Sequence, residues 1–243
     1  MTGSRSALVV LTGAGVSADS GVATFRGGGG LWEGHHVEDV ATPLAWARDP
    51  KLVWRFYQLR RRALGNVEPN AAHRALAELE RELSLGGIPF TLVTQNVDDL
   101  HERAGSSPLH MHGELVQLRC ERCGAIVREL EHLAPDAFLP CASCGHARVR
   151  PDIVWFGEMP YFMDRIERAL CTCTHFVSIG TSGVVYPAAG FLSLARQAGA
   201  RTYVNSLEAP DNLEPRDTFR AGRAIDVVPA LSAELLGELL GES

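Results

Sequence analysis

Short apolar runs rich in β-branched residues recur along the chain, and each ends in small or polar residues. The first is 7–11 (ALVVL). It is too short for a helix and lacks polar alternation, the pattern of a strand buried on both faces of a parallel sheet. Phe90–Thr94, 176–179, 202–205 and 225–228 read the same way. Helical patterns lie between them. Asp49-Pro50 opens one, with Asp as N-cap and Pro in the first position. Leu52, Phe56 and Leu59 form its expected inward face, and Val53, Tyr57, Arg60 and Leu64 the neighbouring stripe. Asn70 caps a second helix, with Leu76, Leu79 and Leu83 on one side and Gly86-Gly87 at its end. Further helices are predicted over 163–170, 188–198 and 231–240. Strands alternating with helices predict an α/β fold, a parallel sheet with helices on both faces.

The breaks between these elements carry the candidate chemistry. The first strand runs into Gly13-Ala14-Gly15, and Ser17, Asp19 and Ser20 follow as potential helix caps. A strand, a glycine turn and a helix N-terminus make an anion site, because free N–H groups and the helix dipole face a phosphate. Gly21 comes too late to complete the Gly-x-Gly-x-x-Gly dehydrogenase fingerprint, so a plain turn stays open beside a nucleotide site. Four consecutive glycines, 27–30, precede Leu31-Trp32. They read as a lid anchored by the tryptophan, or as a connector. Tyr57 and Arg60 lie three apart and point the same way, either as a carboxylate clamp or, with Arg55, Arg61 and Arg62, as part of a solvated basic face. Gln95, Asn96, Val97, Asp98 and Asp99 follow the carboxyl end of a strand, where parallel sheets bind ligands, and Asp98 or Asp99 also suits a helix cap. His101, His110 and His112 are not ranked by sequence physics. The segment 150–158 (RPDIVWFGE) is extended, either a sheet strand or an edge for peptide pairing.

Composition narrows the partners. The chain has 243 residues, a formal charge of −6 and a pI near 5.8, which disfavours electrostatic binding to nucleic acid or anionic membrane. No apolar run reaches the ~20 residues of a membrane span, and the N-terminal run reads as strand and not as signal peptide, so a cytoplasmic location is expected. Cys120-x-x-Cys123 and Cys141-x-x-Cys144 have the spacing of a four-cysteine zinc ribbon. Four ligands close the coordination sphere, so this Zn2+ is structural, and the insert around it is too small to fold without it. Cys171 and Cys173 have no second pair and are expected to be buried thiols.

In their joint order, Gly13-Ala14-Gly15-Val16-Ser17 through Phe25-Arg26, Thr94-Gln95-Asn96-Val97-Asp98, His112-Gly113, the four cysteines, Phe156-Gly157-Glu158 and Gly180-Thr181-Ser182 resemble the sirtuins, NAD-dependent protein-lysine deacylases, over nearly the whole length. The resemblance implies a Rossmann-like NAD-binding domain over 1–27, 66–113 and 151–243. A small domain over 28–65 and 114–150 would combine a helical lobe with the zinc ribbon.

It also implies site roles. Gly13, Ala14, Gly15 and Ser17 would hold the NAD pyrophosphate, Phe25 and Arg26 would shield the nicotinamide side, and Trp32 would also bind the cofactor. Gln95, Asn96, Val97 and Asp98 would line the nicotinamide-ribose pocket. Gly180, Thr181, Ser182, Asn205, Ser206 and Leu207 would hold the adenosine half, with the backbone of Ala224 against adenine. Ile153, Val154, Phe156, Gly157 and Glu158 would pair with an acylated-lysine peptide. His112 would be the general base that deprotonates the ribose diol, giving nicotinamide, free lysine and O-acyl-ADP-ribose. Tyr57 and Arg60 match the Tyr-x-x-Arg pair of the class III branch, which prefers succinyl and malonyl groups to acetyl.

Two positions depart from the family pattern: Thr24 stands where many members have Asp, and Asn205-Ser206-Leu207 replaces Asn-x-Glu. Alternatives are mono-ADP-ribosyl transfer, a non-catalytic sensor of NAD or ADP-ribose, and a dehydrogenase. The last would need a ribose-binding acid roughly twenty positions after the glycines, and Asp39 lies in a loop-like stretch and not at a strand end.

Overall fold

The computed structural model describes residues 6–23, 31–32 and 34–241. Thr24, Phe25, Arg26 and the four-glycine stretch lie outside the described residues, and of Trp32 only the backbone is described.

In chain order the strands are β1 (Leu8–Thr12), β2 (Leu31–Trp32), β3 (His35–His36), β4 (Phe90–Thr94), β5 (Leu109–His110), β6 (Gly113–Cys120), β7 (Ile126–Arg128), β8 (Val149–Ile153), β9 (His175–Ile179), β10 (Arg201–Ser206) and β11 (Thr218–Ala221). The helices are α1 (Val37–Val40), α2 (Pro43–Arg48), α3 (Pro50–Leu64), α4 (Ala71–Leu85), α5 (Leu100–Ala104), α6 (Met163–Thr172), α7 (Phe191–Gln197) and α8 (Ala224–Gly241).

Six strands form one parallel sheet in the order β11-β10-β9-β1-β4-β5. The chain builds outward from β1 through β4 and β5, returns to β9 on the other side of β1, and continues to β10 and β11. The order therefore reverses between β1 and β9, and the crevice at their carboxyl ends is the ligand position of a doubly wound, Rossmann-like sheet. Alternate residues of β1 explain the two covered faces. Leu8 and Val10 pack with Leu76, Leu79 and Leu83 of α4 and Leu231, Leu235 and Leu239 of α8. Val9 and Leu11 pack with Ile166 and Leu170 of α6 and Phe191 of α7.

A third core joins α1, α2 and α3 to the antiparallel sheet β7-β6-β8 and includes Val53, Trp54, Tyr57, Leu118, Cys120, Cys141 and Trp155. The caps expected for α3 and α4 are present: Asp49 accepts from the Leu52 N–H at 3.0 Å and Asn70 from the Ala72 N–H at 2.9 Å.

Several expectations need correction. First, 225–228 is not a strand but the first turns of α8. Its apolar residues alone do not separate strand from helix, yet buried Ala224, Val228, Leu231, Leu235 and Leu239 keep one helical period against α4. The last sheet strand is β11, whose half-exposed TFRA carries little apolar signal. Second, no α-helix follows the glycine turn. Two 3-10 turns, Ala14–Val16 and Ala18–Ser20, stand there without side-chain caps. Third, the inward face of α3 is the Val53–Tyr57–Arg60–Leu64 stripe together with Phe56, while Leu59 is exposed, because the small sheet and its loops pack on that side. Arg61 is buried and donates to the Glu129 carbonyl, so the basic face is not wholly solvated. Fourth, Cys171 is exposed, and only Cys173 is a buried thiol. Asp39 lies in a short helix, α1, not in a loop.

Candidate active site

The carboxyl ends of β1, β4, β9 and β10 open into a cleft of about 970 Å³. Gly13, Ala14, Gly15, Ser17, Gln95, Asn96, Val97, Asp98, Gly180, Thr181, Ser182, Asn205, Ser206, Leu207 and Ala224 all line it. So do His112, Tyr57, Arg60, Ile153, Val154, Phe156, Gly157 and Glu158, residues that the sequence scatters over a hundred positions.

Glycine is required where the first two loops cross. Gly13 N–H donates to the Ile179 carbonyl at 2.9 Å and Gly15 N–H to the Gly180 carbonyl at 2.8 Å. A Cβ on Gly15 would stand 2.6 Å from Gly180 Cα, and Gly180 itself has φ +61. The backbones touch, which leaves the loop edges and not side chains to face a ligand.

Ser17 is fully buried and held from three sides. The Asn70 N–H donates to His73 Nδ1 at 3.3 Å, so the His73 proton sits on Nε2, 3.3 Å from Ser17 Oγ. Asn96 Nδ2 also donates to Ser17 Oγ, at 3.1 Å. The Ser17 hydroxyl bonds the Asp98 carboxyl. Burial raises the Asp98 pKa, opposed by the Leu100 N–H, Ser17 and the charge of His110. Burial lowers that of His73 to about 4, so it stays neutral. Asn70 also donates to the Val16 carbonyl at 2.8 Å, tying α4 to the glycine turn. Sequence reading took Asn70 only as a cap and missed His73. The available signal was a histidine at the third helical position, where a capping box ordinarily places Glu or Gln.

His112 joins the large sheet to the small one, between β5 and β6. Its Nδ1 lies 3.0 Å from the Gln95 carbonyl. A carbonyl only accepts, so Nδ1 carries the proton and the Nε2 lone pair is the basic one. Burial lowers the His112 pKa, partly offset by that hydrogen bond, which keeps the ring neutral near pH 7. Gln95 in turn donates to Thr181 Oγ1 at 3.0 Å, linking the loops after β4 and β9. Gly113 must be glycine: its φ is +79, and a Cβ would collide with the Asp152 carbonyl of β8.

Tyr57 is fully buried on α3, and Arg60 is 7% exposed one turn later. Trp155 Nε1 donates to the Tyr57 hydroxyl at 3.0 Å. Burial raises the Tyr57 pKa far above its ordinary value, with Arg60 among the charges opposing the rise. The Arg60 guanidinium lies 5.1 Å from the Phe56 ring centroid. Trp155, missed in the sequence, sets the Tyr57 hydroxyl.

The 153–158 segment is partly committed already. Val154 N–H donates to the His112 carbonyl at 2.9 Å and Phe156 N–H to the Ala41 carbonyl at 3.0 Å. Glu158 accepts from Arg150 at 2.9 Å and from the Trp155 N–H at 2.9 Å. Glu158 therefore shapes this turn.

The four cysteines converge away from the cleft. Their ligand atoms all lie within 4.8 Å of one another, with Cys120–Cys144 at 3.6 Å and Cys123–Cys141 at 3.7 Å. Tetrahedral Zn2+ with Zn–S bonds of ~2.3 Å separates sulfurs by about 3.8 Å. The set fits one structural zinc ion and none of the four forms a disulfide.

Comparison with known proteins agrees with this geometry. The Sir2 family model matches residues 13–187. An NAD-dependent protein deacylase of Shewanella oneidensis is 52% identical over 239 residues, covering 96% of each chain. The NAD-dependent protein deacylase SIR2rp3 of Leishmania major is 50% identical, covering 96% of this chain and 97% of its own. Among solved structures, a Sir2 homologue in complex with NAD superposes with a TM-score of 0.85 at 40% identity, covering 96% of this chain and 90% of that one. With its family profile, its sequence relatives and its fold in agreement, this chain belongs to the Sir2 family.

Proposed function

We propose that the chain is an NAD-dependent protein-lysine deacylase that removes succinyl and malonyl groups ahead of acetyl, releasing nicotinamide and O-acyl-ADP-ribose. The observation that carries the reading is that Tyr57 and Arg60 share one cleft with His112 and with the glycine edges of β1 and β9. The relatives named NAD-dependent protein deacylase and the NAD complex of a homologue support the cofactor and the reaction class.

NAD as co-substrate supplies a glycosidic bond whose cleavage releases nicotinamide and opens the ribose to the acyl oxygen. The chain supplies the rest. Gly13, Ala14, Gly15 and Ser17 border the pyrophosphate as a close-packed loop edge, with the Gly13 and Gly15 N–H groups already given to Ile179 and Gly180 and the Ser17 hydroxyl to Asp98, and Gly180, Thr181, Ser182, Asn205, Ser206, Leu207 and Ala224 receive the adenosine half. Gln95, Asn96, Val97 and Asp98 border the nicotinamide ribose. His112, neutral and fixed as the Nδ1–H tautomer, takes the ribose hydroxyl proton on Nε2. Tyr57 and Arg60 meet the distal carboxylate of the acyl chain, Arg60 pairing with its oxygens. Remaining backbone groups of 153–158 bind the flanking peptide. Leu207 is exposed and stands where the family form has Glu.

The test is a panel of succinyl-, malonyl- and acetyl-lysine peptides with NAD, read by mass spectrometry of the O-acyl-ADP-ribose. His112→Ala should abolish product. Arg60→Met should cut desuccinylation by about 2–5 kcal/mol, thirtyfold or more, and leave deacetylation nearly unchanged. Equal losses on both peptides would refute the clamp. Label from NAD retained on protein, without O-acyl-ADP-ribose, would point to ADP-ribosyl transfer instead.

A further inference from the structure

Behind the Gln95–Asp98 loop lies a charged group that the reaction above does not use. His110, at the end of β5, is 4% exposed. Its Nδ1 is 2.9 Å from the Asn96 carbonyl oxygen and its Nε2 is 2.6 Å from Glu102 Oε1 on α5. The carbonyl oxygen and the oxygen of an ionised Glu102 carboxylate only accept, so each contact then takes an N–H from the ring. A neutral imidazole has one N–H and an imidazolium has two, so satisfying both acceptors requires the charged ring.

The surrounding charges favour that state. A Glu114 oxygen on β6, a Glu102 oxygen and a His110 ring nitrogen all lie within 4.8 Å of one another. Burial works against charge on His110, but the Glu102 and Asn96 bonds and the Glu114 charge outweigh it and raise the pKa. Burial raises the pKa of Asp98, in the loop itself, and the same cation opposes that rise. Asp99 is instead paired outward with Arg103 at 3.8 Å and Arg128 at 3.6 Å. His101, the other buried imidazole nearby, stays neutral through burial and the opposition of His73 and His110.

The loop is thus gripped twice. His110 takes the Asn96 carbonyl, and His112, two residues further along the same chain, donates to the carbonyl of the preceding residue, Gln95.

We propose that the Glu102–His110 ion pair is a positioning device for deacylation, pinning the Asn96 carbonyl and so setting the Gln95 carbonyl that orients His112. The inference rests on His112 being the base. The grip holds while His110 keeps both protons. Because the folded pKa is raised, the ion pair's contribution is complete below the ordinary imidazole value and fades as pH rises through the folded value. Activity should therefore have an alkaline limb that belongs to His110 and an acid limb that belongs to His112.

The test compares wild type, Glu102→Gln and His110→Phe across pH, with NAD and an acyl-lysine peptide. Nitrogen-15 spectra of the wild-type imidazole rings run alongside. The spectra should show both His110 nitrogens protonated at about pH 7. Glu102→Gln should move the alkaline limb of kcat down by about one pH unit or more and leave the acid limb in place. His110→Phe should remove that limb and lower kcat roughly tenfold or more, with a smaller change in KM for NAD. A purely structural pair would scale kcat without moving either limb.

A neutral His110 in the wild-type spectra would overturn the proposal even if both variants failed to fold. So would an unmoved alkaline limb in folded Glu102→Gln, provided His112→Ala is inactive. Product retained by His112→Ala would instead overturn the assignment of the base.

Discussion

The crossing of the first and fourth sheet-strand loops gives the sharpest prediction. Gly15→Ala places a Cβ 2.6 Å from Gly180 Cα and 2.9 Å from the Gly180 carbonyl oxygen. Ordinary carbon contacts begin near 3.5 Å, so the two loops must part by about 1 Å. Neither neighbour is a flexible side chain that can turn away; both are backbone, tied down by the Gly15 N–H to Gly180 carbonyl bond of 2.8 Å. Overpacking costs about 1–3 kcal/mol. Lengthening that bond forfeits up to about 1.5 kcal/mol more. The combined penalty of roughly 1–4.5 kcal/mol divides between folding and NAD binding, according to whether the loops open in the free protein or only resist closing on the ligand. Urea unfolding measures the first share and calorimetric titration with NAD the second.

Gly237→Ala is the matched control. It adds the same methyl inside α8, where nothing lies within 4 Å. Removing a helical glycine should stabilise the protein by up to about 1 kcal/mol. If Gly15→Ala matched wild type in both folding stability and NAD affinity, the close approach would not be why glycine stands there.

Three more outcomes follow. Chelation of zinc, or Cys141→Ser, should release one equivalent of Zn2+ by elemental analysis and melt the core that Cys120 and Cys141 share with Trp54 and Trp155, visible as a change in tryptophan fluorescence. Asp217→Ala should cost about 1–3 kcal/mol in thermal unfolding, because it removes one of the partners of the buried Arg196 and leaves it only Glu214 and the Asn212 carbonyl. Burial opposes charge on Asp217, but Arg196, Thr202 and the Glu214 N–H outweigh it and hold its pKa below the ordinary value. Its contribution should therefore be complete above about pH 4 and lost as pH falls through the lowered folded value, giving wild type a steeper acid limb of stability than Asp217→Ala.

Some of this protein was local enough to read from residues alone. Phe90–Thr94 is a strand to the residue, since a run buried on both faces needs no partner to be recognised. The caps at Asp49 and Asn70 are bonds within three residues. The four cysteines carry their geometry in their spacing, because each Cys-x-x-Cys turn aims its thiolates before the fold is complete. The glycine turn, the Gln95–Asp98 loop and His112 were legible through their joint order.

The rest was decided by packing. Whether 225–228 is strand or helix depended on α4 lying alongside, and which stripe of α3 faces inward depended on a sheet that arrives fifty residues later. The three histidines differ in their hydrogen-bond partners. His112 and His110 meet consecutive carbonyls of one loop, while His101 contacts Thr12 in the first strand. Those bonds join residues brought together only when β1, β4 and β5 align, and a hydrogen bond across a sheet leaves no trace in the spacing of either partner. Local composition determined most of the elements and the zinc ligands. The tertiary structure decided which polar groups lost their water and had to find one another, and that loss fixes the protonation states at the site.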